Sequence, residues 1–257
     1  MPSRVAFVMQ QQQQHTHDVA RAEFVDTGEG HRAYLAVPSG AGPFPGVLVF
    51  QEAFGIDPYM QSETERLAKH GYAAIAPDLF DGQTYSYDDR DSIGSRLSAL
   101  TDELMLDHTE RAATVLQKLP VLKKGPLGAV GFCMGGRLAF LVAAAFGERV
   151  AAASCFYGGS IGSEQKRFFE PLLHRVPDIR AELLLLYGAD DPSIEPREHG
   201  RIAEALSTNK KQFTMTVFAG AGHGFASRDR KSLYDSHAAE IAWRETLGMF
   251  ERTVRSL

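Results

Sequence analysis

The clearest candidate for chemistry in this sequence is a cysteine between two glycines. Gly131, Cys133 and Gly135 form the pattern G-x-C-x-G in the stretch AVGFCMGGRLAF, after an apolar run and before an Ala- and Leu-rich run. This context predicts a sharp strand-to-helix turn with the cysteine at its apex, where the glycines relieve crowding. The first amides of the following helix, starting with Met134, would stabilise a thiolate or an oxyanion. We therefore interpret Cys133 as a nucleophile for acyl transfer.

A histidine and an acid are available to assist this nucleophile. His223 lies in GAGHGFA, directly after an apolar run, and Asp190 and Asp191 lie in YGADDPSIEP. A histidine takes the proton of a thiol, and a carboxylate on its other ring nitrogen fixes the tautomer. Either aspartate could serve, judged from the residues alone. The alternative for Cys133 is a small buried core residue, which is our expectation for Cys155 within the run AAASCFYGG.

These residues need a fold that brings the ends of several strands together. Short apolar runs predict buried strands: GVLVF, AAIAP, LGAVGF, VAAASCFYG, ELLLLYG and FTMTVFAG. The opening segments ARAEFVD and RAYLAVP flank a glycine turn and predict an antiparallel hairpin. Helical patterns lie near 60–70, 95–119, 134–147, 197–208 and 235–256. This alternation predicts an α/β fold, a three-layer sandwich with a mostly parallel central sheet and helices on both faces.

Composition and charge favour one domain that acts on a small molecule. The chain has 257 residues, is 44% hydrophobic and carries a formal net charge of −5, which predicts one domain over residues 18–257 and no nucleic-acid partner. No apolar run reaches the roughly 20 residues that span a bilayer, so we expect no membrane partner. The two cysteines lie outside any metal-binding spacing and predict a cytoplasmic protein without a metal or other cofactor.

The first 17 residues contain a glutamine run together with His15 and His17. This composition is typical of a disordered extension, and we interpret residues 1–17 in that way. A metal site formed by the two histidines is the alternative, although no further ligand lies near them in the sequence. The sequence does not determine the oligomeric state, for which we take a monomer as the default.

In parallel α/β folds, ligands bind beyond the carboxyl ends of the strands, so the residues directly after each apolar run are further candidates. Glu52 follows GVLVF, where a carboxylate is costly unless it is paired or functional. A solvated loop acid is the alternative for Glu52. Asp78 follows AAIAP and is predicted to hold its loop in place. Tyr85, further along the same loop, is a candidate for lining a substrate pocket.

The motifs resemble those of the dienelactone hydrolase family, a branch of the α/β-hydrolase fold with a Cys-His-Asp triad. The resemblance rests on GFCMGGR, YGADDPSIEP, GAGHGFA, QEAFGI and APDLF and covers most of residues 20 to 256. It implies that Cys133 is the nucleophile, that His223 is the base and that Asp191 is the orienting acid.

The resemblance also assigns roles to three residues around the triad. It implies that Glu52 contacts the resting cysteine and helps to generate the thiolate when substrate arrives. The backbone amides of Ala53 and Met134 would form the oxyanion hole.

The reaction implied by the resemblance is hydrolysis of an ester, an enol-lactone or a thioester through a cysteine acyl-enzyme. Family members hold the substrate carboxylate with two arginines. Here Gly82 lies in the segment that carries the first arginine, and Arg228 is the candidate for the second. We therefore expect a weakened preference for carboxylated substrates. Two alternatives remain: a redox or electrophile sensor, and a non-catalytic protein on the same fold.

Overall fold

A mostly parallel sheet of eight strands forms the centre of the computed structural model, which describes residues 16–256. The strands are β1 (Val19–Gly28), β2 (His31–Pro38), β3 (Gly46–Phe50), β4 (Ala73–Pro77), β5 (Leu127–Phe132), β6 (Val150–Phe156), β7 (Glu182–Gly188) and β8 (Phe213–Phe218). Their order across the sheet is β1-β2-β4-β3-β5-β6-β7-β8. Strand β2 runs antiparallel to β1 and β4, and the other neighbouring pairs are parallel.

Helices connect the parallel strands and cover the two faces of the sheet. They are α1 (Pro58–Lys69), α2 (Arg90–Ala99), α3 (Asp102–Gln117), α4 (Met134–Ala145), α5 (Pro196–Thr208) and α6 (Ser236–Phe250). Helix α3 packs on β3 and β4, α4 packs on β3, β5 and β6, and α6 packs on β6 and β7. Parallel neighbours require such crossover connections. The predicted three-layer α/β architecture with a mostly parallel sheet is confirmed.

The central strands are covered on both faces, and this explains their sequences. Every residue of β3, β4 and β5 is buried, so these strands are continuous apolar runs without alternation. Their bounds coincide with the predicted runs. The edge strand β1 is largely exposed and carries polar residues at many positions.

The helix predicted near 95–119 is wrong, because the structure has two helices in this region. Helix α2 ends before Leu100, and α3 begins after Thr101, whose side chain accepts a hydrogen bond from the backbone N–H of Leu104. A threonine that caps the first free amides of a helix marks a new start. The apolar pattern continues across this break and conceals it from a periodicity analysis.

Most of the predicted N-terminal extension lies outside the described residues, and His15 lies there as well. His17, at its end, donates its backbone N–H to the carbonyl oxygen of Lys69 at 2.8 Å. Within residues 16–256, no helix has both the length and the apolar character that crossing a bilayer requires.

Candidate active site

Cys133 occupies the turn between β5 and α4 in a strained backbone conformation. Its φ of 58° and ψ of −119° lie in a region that side chains other than glycine rarely adopt. A Cβ atom on Gly131 would lie 1.9 Å from the carbonyl oxygen of Gly135, and one on Gly135 would lie 2.3 Å from that of Phe50. Both glycines are therefore needed for the start of α4 to pack against the ends of β3 and β5, with the cysteine between them.

His223 and Asp191 are in direct contact at the carboxyl ends of neighbouring strands. His223 follows β8, and its Nδ1 lies 2.7 Å from Oδ2 of Asp191, which follows β7. The Asp191 side chain is fully buried, and its Oδ1 accepts the backbone N–H of Ser193 at 2.7 Å. Asp190 is exposed. The structure therefore brings Asp191, and not Asp190, to the histidine.

The surroundings of His223 favour its charged form. Burial lowers the pKa of His223, but the charge of Cys133 and hydrogen bonds with Asp191 and Cys133 outweigh burial and raise this pKa to about 10. An imidazolium on His223 is the form that these interactions stabilise. The ring of Tyr157 lies edge-on to the imidazole, with centroids 5.2 Å apart.

Glu52 is buried and bound by an arginine that the sequence analysis did not select. Nη2 of Arg230 lies 2.6 Å from both carboxylate oxygens of Glu52. Burial raises the pKa of Glu52, although the charges of Arg230 and His223 oppose this effect. The guanidinium also lies over the rings of Phe54 and Tyr87, at 5.0 and 5.3 Å from their centroids. Arg230 thus supplies the charged partner that a buried carboxylate at this position needs.

The structure places Arg228 away from Glu52. Its Nη2 lies 2.6 Å from Oε1 of Glu63 and 3.1 Å from Oγ of Ser62, both on α1. Arg228 borders a cavity of about 520 Å³ that Trp243 also lines. The sequence has a second arginine, Arg230, two residues after Arg228. The spacing alone does not show which of the two side chains points toward Glu52.

A chain reversal explains why Arg230 is the arginine that turns inward. Its Nε donates to Oγ of Ser227 at 3.0 Å, and its guanidinium passes over Gly224. A Cβ on that glycine would lie 2.7 Å from Nη2 of Arg230. The loop after β8 therefore carries both the histidine that contacts Asp191 and the arginine that contacts Glu52.

Tyr85, the predicted pocket residue, lies beside the segment that follows β3. Its backbone N–H donates to the carbonyl oxygen of Phe54 at 3.1 Å, and its half-buried ring packs against Phe80. Tyr87 packs edge-on against Phe54 and donates its hydroxyl to Asp57 at 3.0 Å. Because Arg230 lies over Tyr87, this second tyrosine is the closer neighbour of the Glu52 pair.

The two predicted oxyanion-hole amides lie at adjacent strand ends. Ala53 follows β3, and Met134 opens α4 directly after β5, which is the parallel neighbour of β3. The first amide of a helix has no acceptor within that helix. A developing negative charge beside Cys133 would therefore find donors that are available for it.

Comparisons with known proteins identify the family to which the chain is similar. A family model described as "Dienelactone hydrolase family" matches residues 31–254. A Yersinia pestis protein named "Putative carboxymethylenebutenolidase" is 34% identical, over 91% of this chain and 89% of the relative. A Bradyrhizobium protein named "Probable 2-oxo-3-(5-oxofuran-2-ylidene)propanoate lactonase" is 29% identical, over 86% and 88%.

A solved structure agrees as well. The crystal structure of a "Putative Dienelactone Hydrolase" from Klebsiella pneumoniae has a TM-score of 0.82 at 29% identity and covers 90% of this chain and 98% of its own. The family match spans most of the chain and includes the strand ends that carry Cys133, Asp191 and His223. The chain therefore belongs to the dienelactone hydrolase family and is a hydrolase with the α/β-hydrolase fold, as its motifs predict.

Proposed function

We propose that the protein hydrolyses enol-lactones or activated esters through a thioester on Cys133. The observation that carries the proposal is the 2.7 Å contact of His223 with Asp191, at the edge of the sheet where Cys133 ends its strand. A carboxylate that contacts Nδ1 keeps the proton on that nitrogen, so that Nε2 is free to exchange a proton with the reacting groups. The names of the relatives, a carboxymethylenebutenolidase and a lactonase, support a lactone or ester as the substrate class.

Acylation would use the thiolate and imidazolium pair. The sulfur of Cys133 attacks the carbonyl carbon and forms a C–S bond, while the backbone amides of Ala53 and Met134 stabilise the oxyanion. When the C–O bond to the leaving oxygen breaks, the imidazolium of His223 supplies the proton that this oxygen needs. In a lactone the leaving oxygen stays tethered to the acyl group.

Deacylation would use the same histidine in its neutral form. Thioester formation removes the negative charge of Cys133, which is the largest of the effects that raise the pKa of His223. The imidazole then takes a proton from water, the hydroxide attacks the thioester carbon, and the thiolate departs with the C–S electron pair. The free acid is released, and the pair on Cys133 and His223 is restored.

Glu52 would assist thiolate formation, and Arg230 would control when it does so. In the structure both oxygens of Glu52 are held by Arg230. Where Cys133 starts as a thiol, a substrate carboxylate that competes for this guanidinium would free Glu52 to accept the thiol proton and pass it to His223, which gives the thiolate and imidazolium pair that acylation uses. Burial already raises the pKa of Glu52, which makes it a stronger base once the arginine is withdrawn.

The proposal predicts a strong dependence on the leaving group. A thiolate leaves a tetrahedral intermediate more readily than an amide nitrogen does, so amides return to starting materials. We expect kcat/KM for p-nitrophenyl acetate to exceed that for p-nitroacetanilide by about 10³-fold or more, with an enol-lactone and an acyl thioester also hydrolysed.

The same assay separates the proposal from its alternatives. A redox or electrophile sensor would react with iodoacetamide at Cys133 and turn over none of the four substrates. A non-catalytic protein would do neither. Turnover of the anilide at the rate of the ester would contradict a thioester intermediate.

The two arginines after His223 predict different effects on substrate selection. Arg230→Ala should lower kcat/KM about tenfold more for a carboxylated lactone than for its neutral methyl ester, because a charge-assisted pair contributes roughly 1.5–3 kcal/mol. Arg228→Ala, which removes a partner of Glu63, should leave this ratio unchanged. Steady-state kinetics on the two substrates and three proteins measure both ratios. A change of the ratio in Arg228→Ala alone would assign the carboxylate to Arg228 instead.

A further inference from the structure

A group of metal-ligating side chains that the proposed reaction does not use lies where β2, the loop after β4 and α3 meet. His31 begins β2, Asp81 lies in the loop, and His108 lies on α3. One ligand atom from each residue lies within 4.8 Å of those of the other two. The two imidazole centroids are 4.2 Å apart. The three residues are far apart in the sequence, and no spacing motif connects them.

The orientation of His108 leaves one ring nitrogen available to a metal ion. His108 is 3% exposed, and its Nδ1 lies 3.1 Å from the carbonyl oxygen of Asp78. A carbonyl oxygen only accepts hydrogen bonds, so in the neutral ring Nδ1 carries the proton and Nε2 holds the lone pair. Histidines that ligate metal ions commonly donate their other ring N–H to a backbone carbonyl in this way.

His31 presents a buried nitrogen that a metal ion would satisfy. Its Nδ1 is buried and has no hydrogen-bond partner within residues 16–256. This atom lies 3.4 Å from Oδ1 of Asp81, in an orientation that forms no hydrogen bond. A tetrahedral ion with bonds of about 2.1 Å separates two of its ligand atoms by about 3.4 Å. The spacing of His31 and Asp81 therefore already suits a shared ion.

Asp78 holds Asp81 in position from both sides. The Asp78 carboxylate accepts the backbone N–H groups of Phe80 at 3.0 Å and Gly82 at 2.9 Å, the two residues that flank Asp81. Arg96 donates to Oδ2 of Asp81 at 3.1 Å, while Oδ1 is the oxygen nearest to His31. Asp78 thus holds its loop in place, as predicted from the sequence, and the loop fixes the position of the Asp81 carboxylate.

The arginines near the cluster are all paired with carboxylates. Arg96 pairs with Asp81, Arg32 pairs with Asp78, and Arg111 on α3 pairs with both Glu29 and Asp107. Each nearby guanidinium therefore has at least one carboxylate partner. An added divalent ion would face two imidazole rings and Oδ1 of Asp81, the carboxylate oxygen that Arg96 does not bind.

We propose that His31, Asp81 and His108 bind a divalent first-row transition-metal ion, with Zn²⁺ as the best fit. Two imidazoles and a carboxylate are ligands that Zn²⁺ accepts, whereas Mg²⁺ and Ca²⁺ select sites built from oxygen. The ion would join the loop after β4 to β2 and α3. The role is structural, and it is independent of the proposed hydrolysis.

The test is calorimetric titration of the full chain, stripped of metal with a chelator that is then dialysed away. Zn²⁺ should bind at one site per chain and raise the Tm, because a ligand of the native state stabilises it. Mg²⁺ should do neither. His31→Gln and Asp81→Asn, both at partly exposed positions, should each weaken Zn²⁺ binding by about tenfold or more.

Three further proteins exclude other ligands of Zn²⁺. His174→Gln alters an exposed histidine and should bind Zn²⁺ as the wild type does. Cys133→Ser removes the partly exposed thiol at the turn after β5, and a His15→Gln, His17→Gln double variant removes the N-terminal histidines. Both proteins should bind Zn²⁺ with the affinity of the wild type. Loss of Zn²⁺ binding in either protein would overturn the proposal. So would unchanged affinity in His31→Gln and Asp81→Asn, or no binding by the wild type.

Discussion

Replacement of Cys133 by alanine is expected to lower kcat/KM for p-nitrophenyl acetate by about 10⁴-fold or more, because every covalent step of the proposed mechanism depends on its sulfur. Cys155→Ala should leave kcat/KM within about threefold, since it removes only a small, fully buried core side chain. Cys155 is fully buried within β6, and burial raises the pKa of its thiol. The two variants therefore form a matched pair that separates an active thiol from an inert one.

Chemical labelling provides an independent check on the same pair. Iodoacetamide should inactivate the wild type and Cys155→Ala at similar rates, and mass mapping should locate the label on Cys133, because the thiolate is the form that reacts. Near wild-type turnover by Cys133→Ala, or by protein fully alkylated at Cys133, would remove this residue from the mechanism.

The exchange of one aspartate for asparagine should have the second largest effect. Asp191→Asn is expected to lower kcat by about 10²-fold or more, because an amide in place of the carboxylate on Nδ1 favours the wrong histidine tautomer. Asp190→Asn changes an exposed neighbour and should cost less than about threefold. Pre-steady-state and steady-state assays on p-nitrophenyl acetate measure both values.

The charge state of His223 supplies a control for this pair. Asp191 is one of the groups that raise the pKa of His223 to about 10, so Asp191→Asn should lower that pKa while Asp190→Asn leaves it in place. Titration of the imidazole by NMR tests this directly. If Asp190→Asn were the more damaging variant in both experiments, the orienting role would pass to Asp190.

Much of the fold could be predicted because buried parallel strands have a simple sequence signature. The runs predicted for β3, β4, β5 and β7 coincide with the observed bounds of these strands, and all four are apolar apart from Glu182 at the start of β7. The division of the region near 95–119 into α2 and α3 is harder to predict, because a local cap at Thr101 competes there with a continuous apolar pattern.

The candidate site could be predicted where its residues directly follow a strand. Cys133 does so, and Asp191 and His223 lie within five residues of the ends of β7 and β8. Parallel topology places all three positions beyond the carboxyl ends of the strands. Arg230 lies farther along a loop, where the direction of a side chain depends on turns such as the one at Ser227. The cluster of His31, Asp81 and His108 depends on the packing of three separate segments, which a single sequence does not reveal.

The order of the strands has a consequence for how activity and fold are lost. Cys133 directly follows β5, which lies between β3 and β6, whereas His223 follows β8, the last strand of the sheet. Proteins open locally where few neighbours hold a segment, so amide hydrogens near β8 should exchange earlier than those of β5. Such a subglobal opening would separate His223 from Cys133 while β5 stays protected from exchange. Hydrolytic activity should therefore be lost at a lower denaturant concentration than the one that unfolds the central sheet.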